Sequence, residues 1–172
     1  MFAPFRTLPH TAVMVGLIQQ EKPQIALFGA TPVGRDFAPR VSSALHSGLT
    51  ADCTELVIGE HKDAKTGKEY DSLLYQIRPA FGGNIIATIV NPDCRPQMAT
   101  VRPGVMQKLP KVEGAKAEII EFNPGFTPDN KYVEIVEVVK SLANTVDIMD
   151  AKILVSGGRG VGSAENFKLL ED

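Results

Sequence analysis

Residues 24–30, QIALFGA, are a short apolar run without polar alternation, followed at once by Thr31-Pro32. A strand that is apolar on both sides belongs between two layers, as in a parallel sheet. Threonine followed by proline reads as a helix start. The threonine side chain caps free N–H groups, and the proline stands where its missing N–H costs nothing. Phe37, Val41, Ala44 and Leu45 then recur at helical spacing, and Gly48 offers a C-terminal stop. Upstream, Thr7-Leu8-Pro9-His10 opens another helix with Thr7 as its cap. Val13, Leu17 and Ile18 give it one apolar face, and Pro23 ends it. Helix, buried strand, helix is the rhythm of an α/β layer fold.

The texture changes after Gly48. ADCTELVIGE is strand-like, HKDAKTGKEYD is a charged turn around Gly67, and LLYQIR and NIIATIVN form a hairpin through PAFGG. MATVRPG is a further strand stopped by Pro103-Gly104. AEIIEFN and YVEIVEVVK favour strand through their β-branched residues. The fold expected is α/β: a mostly parallel sheet with flanking helices, a Rossmann-like, nucleotide-hydrolase-like layer fold, plus an antiparallel hairpin portion. SLANTVDIMD reads as a connector. AKILVS then reads as a fresh strand, followed by a glycine loop and a helix, SAENFKLLED. A boundary is expected near residue 150, with 1–150 as one α/β domain and 151–172 as the first strand–glycine loop–helix of a second.

The totals exclude several classes. With 172 residues, 44% hydrophobic and 22% charged, the chain can feed a core. A net charge of −2, without basic clusters, supplies no field for nucleic acid or an anionic membrane. No run approaches the roughly 18 apolar residues of a membrane helix. AVMVGLI is not read as a signal peptide, because Pro9 and His10 interrupt its approach and no small-residue cleavage site precedes Glu21 and Lys22. Cys53 and Cys94 are too few for a disulfide framework and are expected as buried free thiols in a reducing, cytoplasmic setting. His10, His46 and His61 have no metal-ligand spacing, and no base can be assigned to a nucleophile beside Asp52 and Cys53.

The chemistry concentrates in SGGRGVGSAENFKLLED, residues 156–172. Gly157, Gly158, Gly160 and Gly162 let an anion approach backbone N–H groups, and Arg159 adds a fork matched to phosphate oxygens. Ser163 is a plausible helix cap. The pattern is not a Walker loop, because Ser163 stands at the lysine position and Ala164 at the Ser/Thr position. It fits the dinucleotide fingerprint poorly as well. A phosphate site and a structural tight turn both stay open on spacing alone. Micromolar binding takes about 8 kcal/mol. Two or three charge-assisted bonds offer roughly 1.5–3 kcal/mol each, and association costs at least about 4 kcal/mol. One such loop needs the opposite wall of a pocket.

Beyond spacing, the chain resembles the α subunit of electron transfer flavoprotein. The glycine segment is similar to the opening of that subunit's FAD-binding domain. TLPHT, LFGATPVGRDFAPRVSSALHSGLTADCTEL and QIRPAFGGNIIATIVNPDCRPQMATVRPGVM resemble its N-terminal domain, in the same order. The resemblance implies an electron carrier and not an enzyme. FAD would lie in the C-terminal domain of the intact protein, and the partner would be a β subunit holding AMP or a second FAD. The pair would carry electrons from flavin dehydrogenases to an acceptor oxidoreductase. It implies that Arg159 contacts FAD and that Ser156, Gly157, Gly158 and Gly160 form the loop around it. It also implies a piece truncated at both ends, which does not retain FAD alone and whose exposed sheet edge favours self-association.

Two other features have alternatives, and so has the function. GATPVGRDFAPR places Thr31, Gly34 and Arg35 where α/β sheets bind ligands. It is either a contact for a partner subunit or a capped helix whose arginine pairs with Asp36 or a neighbour. Arg78, Arg95 and Arg102 stand beside prolines at strand ends, as turn anchors or as a partner surface. The rival to an electron carrier is a cofactor-free α/β interaction module that serves subunit docking.

Overall fold

The computed structural model describes residues 4–130, 133–139, 148 and 151–170. The chain divides into two compact units, Met1–Ile135 and Val136–Asp172. In the first, helix α1 (Thr7–Glu21) leads to strand β1 (Ile25–Gly29), helix α2 (Pro32–Leu45) and strand β2 (Leu49–Cys53). Strands β3 (Glu55–Lys62), β4 (Glu69–Ala80), β5 (Ile85–Ile89) and β6 (Gln97–Val101) follow. A parallel sheet in the order β1-β6-β2 stands beside an antiparallel sheet in the order β3-β4-β5. Both are open, so the architecture is the expected α/β layer fold with an antiparallel hairpin portion.

Helix α2 begins as its sequence dictates. Thr31 Oγ1 accepts the Gly34 N–H at 3.1 Å, and Pro32 occupies the first turn. Its end differs from expectation. His46, in the left-handed region at φ 51°, closes the helix, while the Ser47 N–H returns to the Ser42 carbonyl at 3.1 Å. Gly48 is therefore not the stop. Helix α1 is capped differently too. Arg6 is the residue outside the first turn, and Thr7 turns its hydroxyl to Asp36 of α2. A tertiary bond has displaced a local one. At the far end Lys22, at φ 47°, returns its N–H to Ile18 before Pro23 prevents continuation.

The helices and the parallel sheet share one core. Ile18, Val41 and Met98 are buried at its centre, with Met14, Val15, Ala26, Phe28, Phe37, Leu45 and Leu49 packed around them. Phe28 and Phe37 meet edge to face, with ring centroids 5.6 Å apart. Strand β1 is buried on one face only: Ala26 and Phe28 join the core, whereas Leu27 is 52% exposed. The strand buried on both faces is β6, whose Gln97, Met98, Ala99 and Thr100 are all buried. Its Gln97 is buried and accepts the Leu74 N–H of β4 at 2.8 Å, which ties the two sheets together.

The β3–β4 turn follows the sequence closely. Asp63 Oδ1 accepts the N–H groups of Lys65 and Thr66 at 2.9 and 2.7 Å, and Gly67 takes φ 71°. The PAFGG hairpin also forms, turning through Phe81–Gly83. Later expectations fail. Residues 117–123 carry no ladder, although Phe122 lies against Gly16 of α1. Residues 133–139, in the segment expected as a strand over 132–140, also have none, and Tyr132 and Lys140 lie outside the described residues. So does the connector 141–150, except Ile148. Residues 151–156 of the second unit form no strand. The final helix is seen as a 3₁₀ segment, Ala164–Leu170. A β-branched run becomes a strand only when a neighbour supplies donors and acceptors, and none of these segments finds one among the described residues.

One close approach fixes the β1–α2 junction. A Cβ built on Gly34 would lie 1.8 Å from the Gly29 carbonyl oxygen, whereas one on Gly29 would meet Thr31 at an ordinary 3.7 Å. Gly34→Ala is expected to destabilise the fold by about 3 kcal/mol, the upper range for overpacking. Gly29→Ala should cost well under half as much. Denaturant melts of both variants check this, and equal losses would show that the junction yields freely.

Candidate functional site

The three parallel strands end together at Gly29, Cys53 and Val101. Ligands of open α/β sheets bind beyond this edge. The edge is stitched by backbone bonds: the Ala30 N–H donates to Val101 at 2.7 Å and the Arg102 N–H to Cys53 at 2.9 Å. Between Thr50 and Cys53 the β2–β6 register shifts, and Asp52 takes φ 62°. Its N–H donates to Thr100 Oγ1 at 2.8 Å. The irregularity turns the Asp52 carboxylate toward two arginines. Arg35 Nη2 donates to Oδ1 at 2.8 Å, and Arg102 Nη2 donates to Oδ2 at 2.6 Å with its Nε 3.3 Å from Oδ1. Arg35 Nε also holds the Ala30 carbonyl at 2.9 Å.

These partners define the chemistry. The Arg102 hydrogen bond, above all, holds the Asp52 carboxyl below its ordinary pKa, and Arg35 and Arg78 add to the effect. A carboxylate so fully occupied is a poor proton acceptor, so it works as a clamp and not as a base. Burial pushes the neighbouring Cys53 thiol up, which leaves it unreactive. Cys94, expected to be buried, is exposed. Among the described residues no group of three His, Cys, Asp or Glu could hold a metal ion, and no helix is long and apolar enough to cross a membrane.

The arginines separate into kinds. Arg95 is a turn anchor, holding the Pro92 and Cys94 carbonyls at 3.0 and 2.8 Å and Gln24 Oε1 at 3.0 Å. Arg35 pairs with Asp52, 17 residues along, and not with Asp36. Asp52 stands second in the strand-like run ADCTELVIGE, and its partners come from two other elements, so no local spacing points to them.

In the second unit, the glycine loop makes a short 3₁₀ turn at Arg159–Val161 and another segment at Ala164–Leu170. The N–H groups of Val161, Gly162 and Ser163 are taken by the carbonyls of Gly158, Arg159 and Val161. Those of Gly158, Arg159 and Gly160 have no partner among the described residues, nor has the Arg159 guanidinium. A Cβ on Gly158 or Gly160 would meet open space. Gly157 differs, because a Cβ there would meet Val161 at 2.7 Å and Leu170 at 2.8 Å, so that glycine serves packing. Gly162 has φ 82°, a conformation that favours glycine. Three N–H groups without partners among the described residues, beside an exposed guanidinium, suit phosphate oxygens.

A family model for the electron transfer flavoprotein domain matches residues 1–126. The chain belongs to the electron transfer flavoprotein family. This electron transfer flavoprotein chain is 46% identical over 177 residues to the electron transfer flavoprotein subunit alpha of Clostridium acetobutylicum, covering 100% of this chain and 49% of that protein. It is 45% identical over 166 residues to Protein FixB of Clostridium saccharobutylicum, covering 96% and 47%. It is 37% identical over 172 residues to the acryloyl-CoA reductase electron transfer subunit beta of Anaerotignum propionicum, covering 91% and 47%. The chain thus spans about half the length of these relatives. The family match ends before the glycine loop, whereas the C. acetobutylicum alignment, which covers the whole chain, includes it.

The Asp52 clamp has a pH signature. Its folded pKa lies below the unfolded value, so its contribution is fully present above about pH 4, the ordinary carboxylate range, and is lost as pH falls through the lowered folded value. Asp52→Asn should melt below the wild type at neutral pH, with a difference that shrinks toward pH 3. Melting curves across this range check it, and a difference independent of pH would remove the electrostatic role.

Proposed function

We propose that this chain works as part of an electron transfer flavoprotein α subunit, a cytoplasmic electron carrier and not an enzyme with a substrate of its own. The observation that supports this most is the 46% identity to such a subunit across 100% of the chain. The names of the relatives, "subunit alpha" and "electron transfer subunit beta", describe members of larger assemblies. On this reading a β subunit pairs with the chain, and the pair carries electrons from flavin dehydrogenases to an acceptor oxidoreductase. A domain boundary near residue 150 is part of the proposal, with residues 151–172 opening a FAD-binding domain.

Within that domain, the N–H groups of Gly158, Arg159 and Gly160 would face phosphate oxygens, and the Arg159 guanidinium would hold the same group. Ser156 and Gly157 would shape the approach. A bound FAD would supply the electron-accepting ring. Affinity limits what this loop does by itself: a few charge-assisted bonds of roughly 1.5–3 kcal/mol each, less the cost of association, fall short of firm dinucleotide binding.

A second reading, a cofactor-free docking module, is favoured by one observation. Val57, Ile58, Phe81, Ile85 and Ile86 are exposed on the antiparallel sheet and its hairpin turn. Co-expression with an electron transfer flavoprotein β subunit distinguishes the readings. Co-purification with visible flavin absorption that Arg159→Ala diminishes supports the carrier, and a colourless complex supports the module. Failure to co-purify would count against both.

The chain alone is expected to bind FAD more weakly than micromolar, and micromolar quenching of flavin fluorescence would refute this. Strand β1 is at the edge of its sheet, and its outer side has no ladder partner among the described residues. The purified chain is therefore expected to self-associate as concentration rises. A monomeric mass by light scattering throughout would contradict that.

A further inference from the structure

We propose that the C-terminal edge of the parallel sheet carries a second anion site, formed by Arg78 and Arg102 over the Phe81–Gly83 turn, which takes the phosphate group of a small molecule. These residues line a surface cavity of about 430 Å³. It belongs to the first unit and owes nothing to the glycine loop.

The donors at this cavity are only partly used. Arg102 spends Nε and Nη2 on Asp52, which leaves Nη1 without a partner among the described residues. Half-buried Arg78 makes one long contact, from Nε to the Pro79 carbonyl at 3.4 Å, and both its terminal nitrogens are free of protein acceptors among the described residues. Asp52 is the carboxylate that acts on Arg102, yet it is shared with Arg35 and also feels Arg78. Three guanidinium groups therefore face one carboxylate, and the local balance is cationic. Asp52 orients Arg102 while it neutralises only one charge of the set.

The turn opposite is shaped for close approach. Phe81, Gly82 and Gly83 have φ of 47°, 71° and 88°, and a Cβ on either glycine would meet open space. An anion can thus come near the backbone of this turn without displacing a side chain. The Phe81 side chain is 85% exposed at the same cavity. An exposed ring beside a cationic pocket suits an anion attached to an organic body. Three free guanidinium nitrogens and a surplus of positive charge favour a phosphate dianion, which has three terminal oxygens, over a carboxylate, which has two.

The test is calorimetric titration of the full 172-residue chain, at fixed ionic strength, with phenyl phosphate, inorganic phosphate and acetate. Both phosphates should bind, phenyl phosphate more tightly, with acetate at least about tenfold weaker. Arg78→Gln should weaken phosphate binding about tenfold, the scale of one charge-assisted bond. Its melting temperature should fall only slightly, because Arg78 holds no ion pair and acts on Asp52 only through its charge. Arg78→Lys should recover part of the affinity, and Phe81→Ala should remove the advantage of phenyl phosphate over the free ion. Acetate binding as tightly as phosphate would overturn the proposal, as would unchanged binding in Arg78→Gln. If Arg159→Gln abolishes phosphate binding and Arg78→Gln does not, the ion belongs to the glycine loop and the proposal fails. A glutamate-rich peptide that binds where the phosphates do not would make the patch a protein-docking surface and also overturn it.

Discussion

Strand β6 holds the first unit together. It pairs with β1 on one side and β2 on the other, so both parallel ladders run through it. Its side chains extend that role. Met98 sits in the core, Gln97 takes the Leu74 N–H from the antiparallel sheet, and Thr100 takes the Asp52 N–H. Two of these are buried polar groups. Such groups are expensive unless paired, and here the Gln97 pairing ties β6 to the antiparallel sheet while the Thr100 pairing fixes the end of β2. Residues that leave β6 carry the same order outward, since Val101 binds the start of the β1–α2 turn and Arg102 clamps Asp52.

The edge at which these strands end owes its geometry to two departures from regular structure. Gly34 lets the first turn of α2 press against the Gly29 carbonyl, which brings Arg35 over the edge. The β2–β6 register shift turns Asp52 into the left-handed region and aims its carboxylate at Arg35 and Arg102. Neither arginine then behaves as an ordinary surface charge. Each is held by bonds that leave part of its guanidinium facing outward, a cheap way to present positive charge at a defined place.

The two units differ in what their chemistry rests on. The glycine loop offers backbone donors with open approach and one guanidinium, which is a general grip on phosphate. The sheet edge offers guanidiniums oriented by a carboxylate, with an aromatic ring beside them. Under the proposed function the first would face the phosphates of a flavin nucleotide. The second lies in a part of the chain to which the family's cofactor gives no evident work.

Much of this could be read from the chain, and the limits of that reading are physical. The caps and turns at Thr31-Pro32, Asp63–Gly67 and PAFGG were legible because their hydrogen bonds close within a few residues. The α/β class followed from apolar periodicity, and the glycine loop announced itself by composition. AEIIEFN and AKILVS misled because a strand is a relation between segments, and β-branching records suitability for a ladder and not its presence. Thr7 misled because Asp36, distant in sequence, outbid the local cap. The pairing of Asp52 with Arg35 and Arg102 was hidden for the same reason, as its members come from three elements. The sequence by itself determined the layer class and the local turns. Only the tertiary structure decided which strand lies at the centre and which charges meet, because both depend on contacts between residues far apart along the chain.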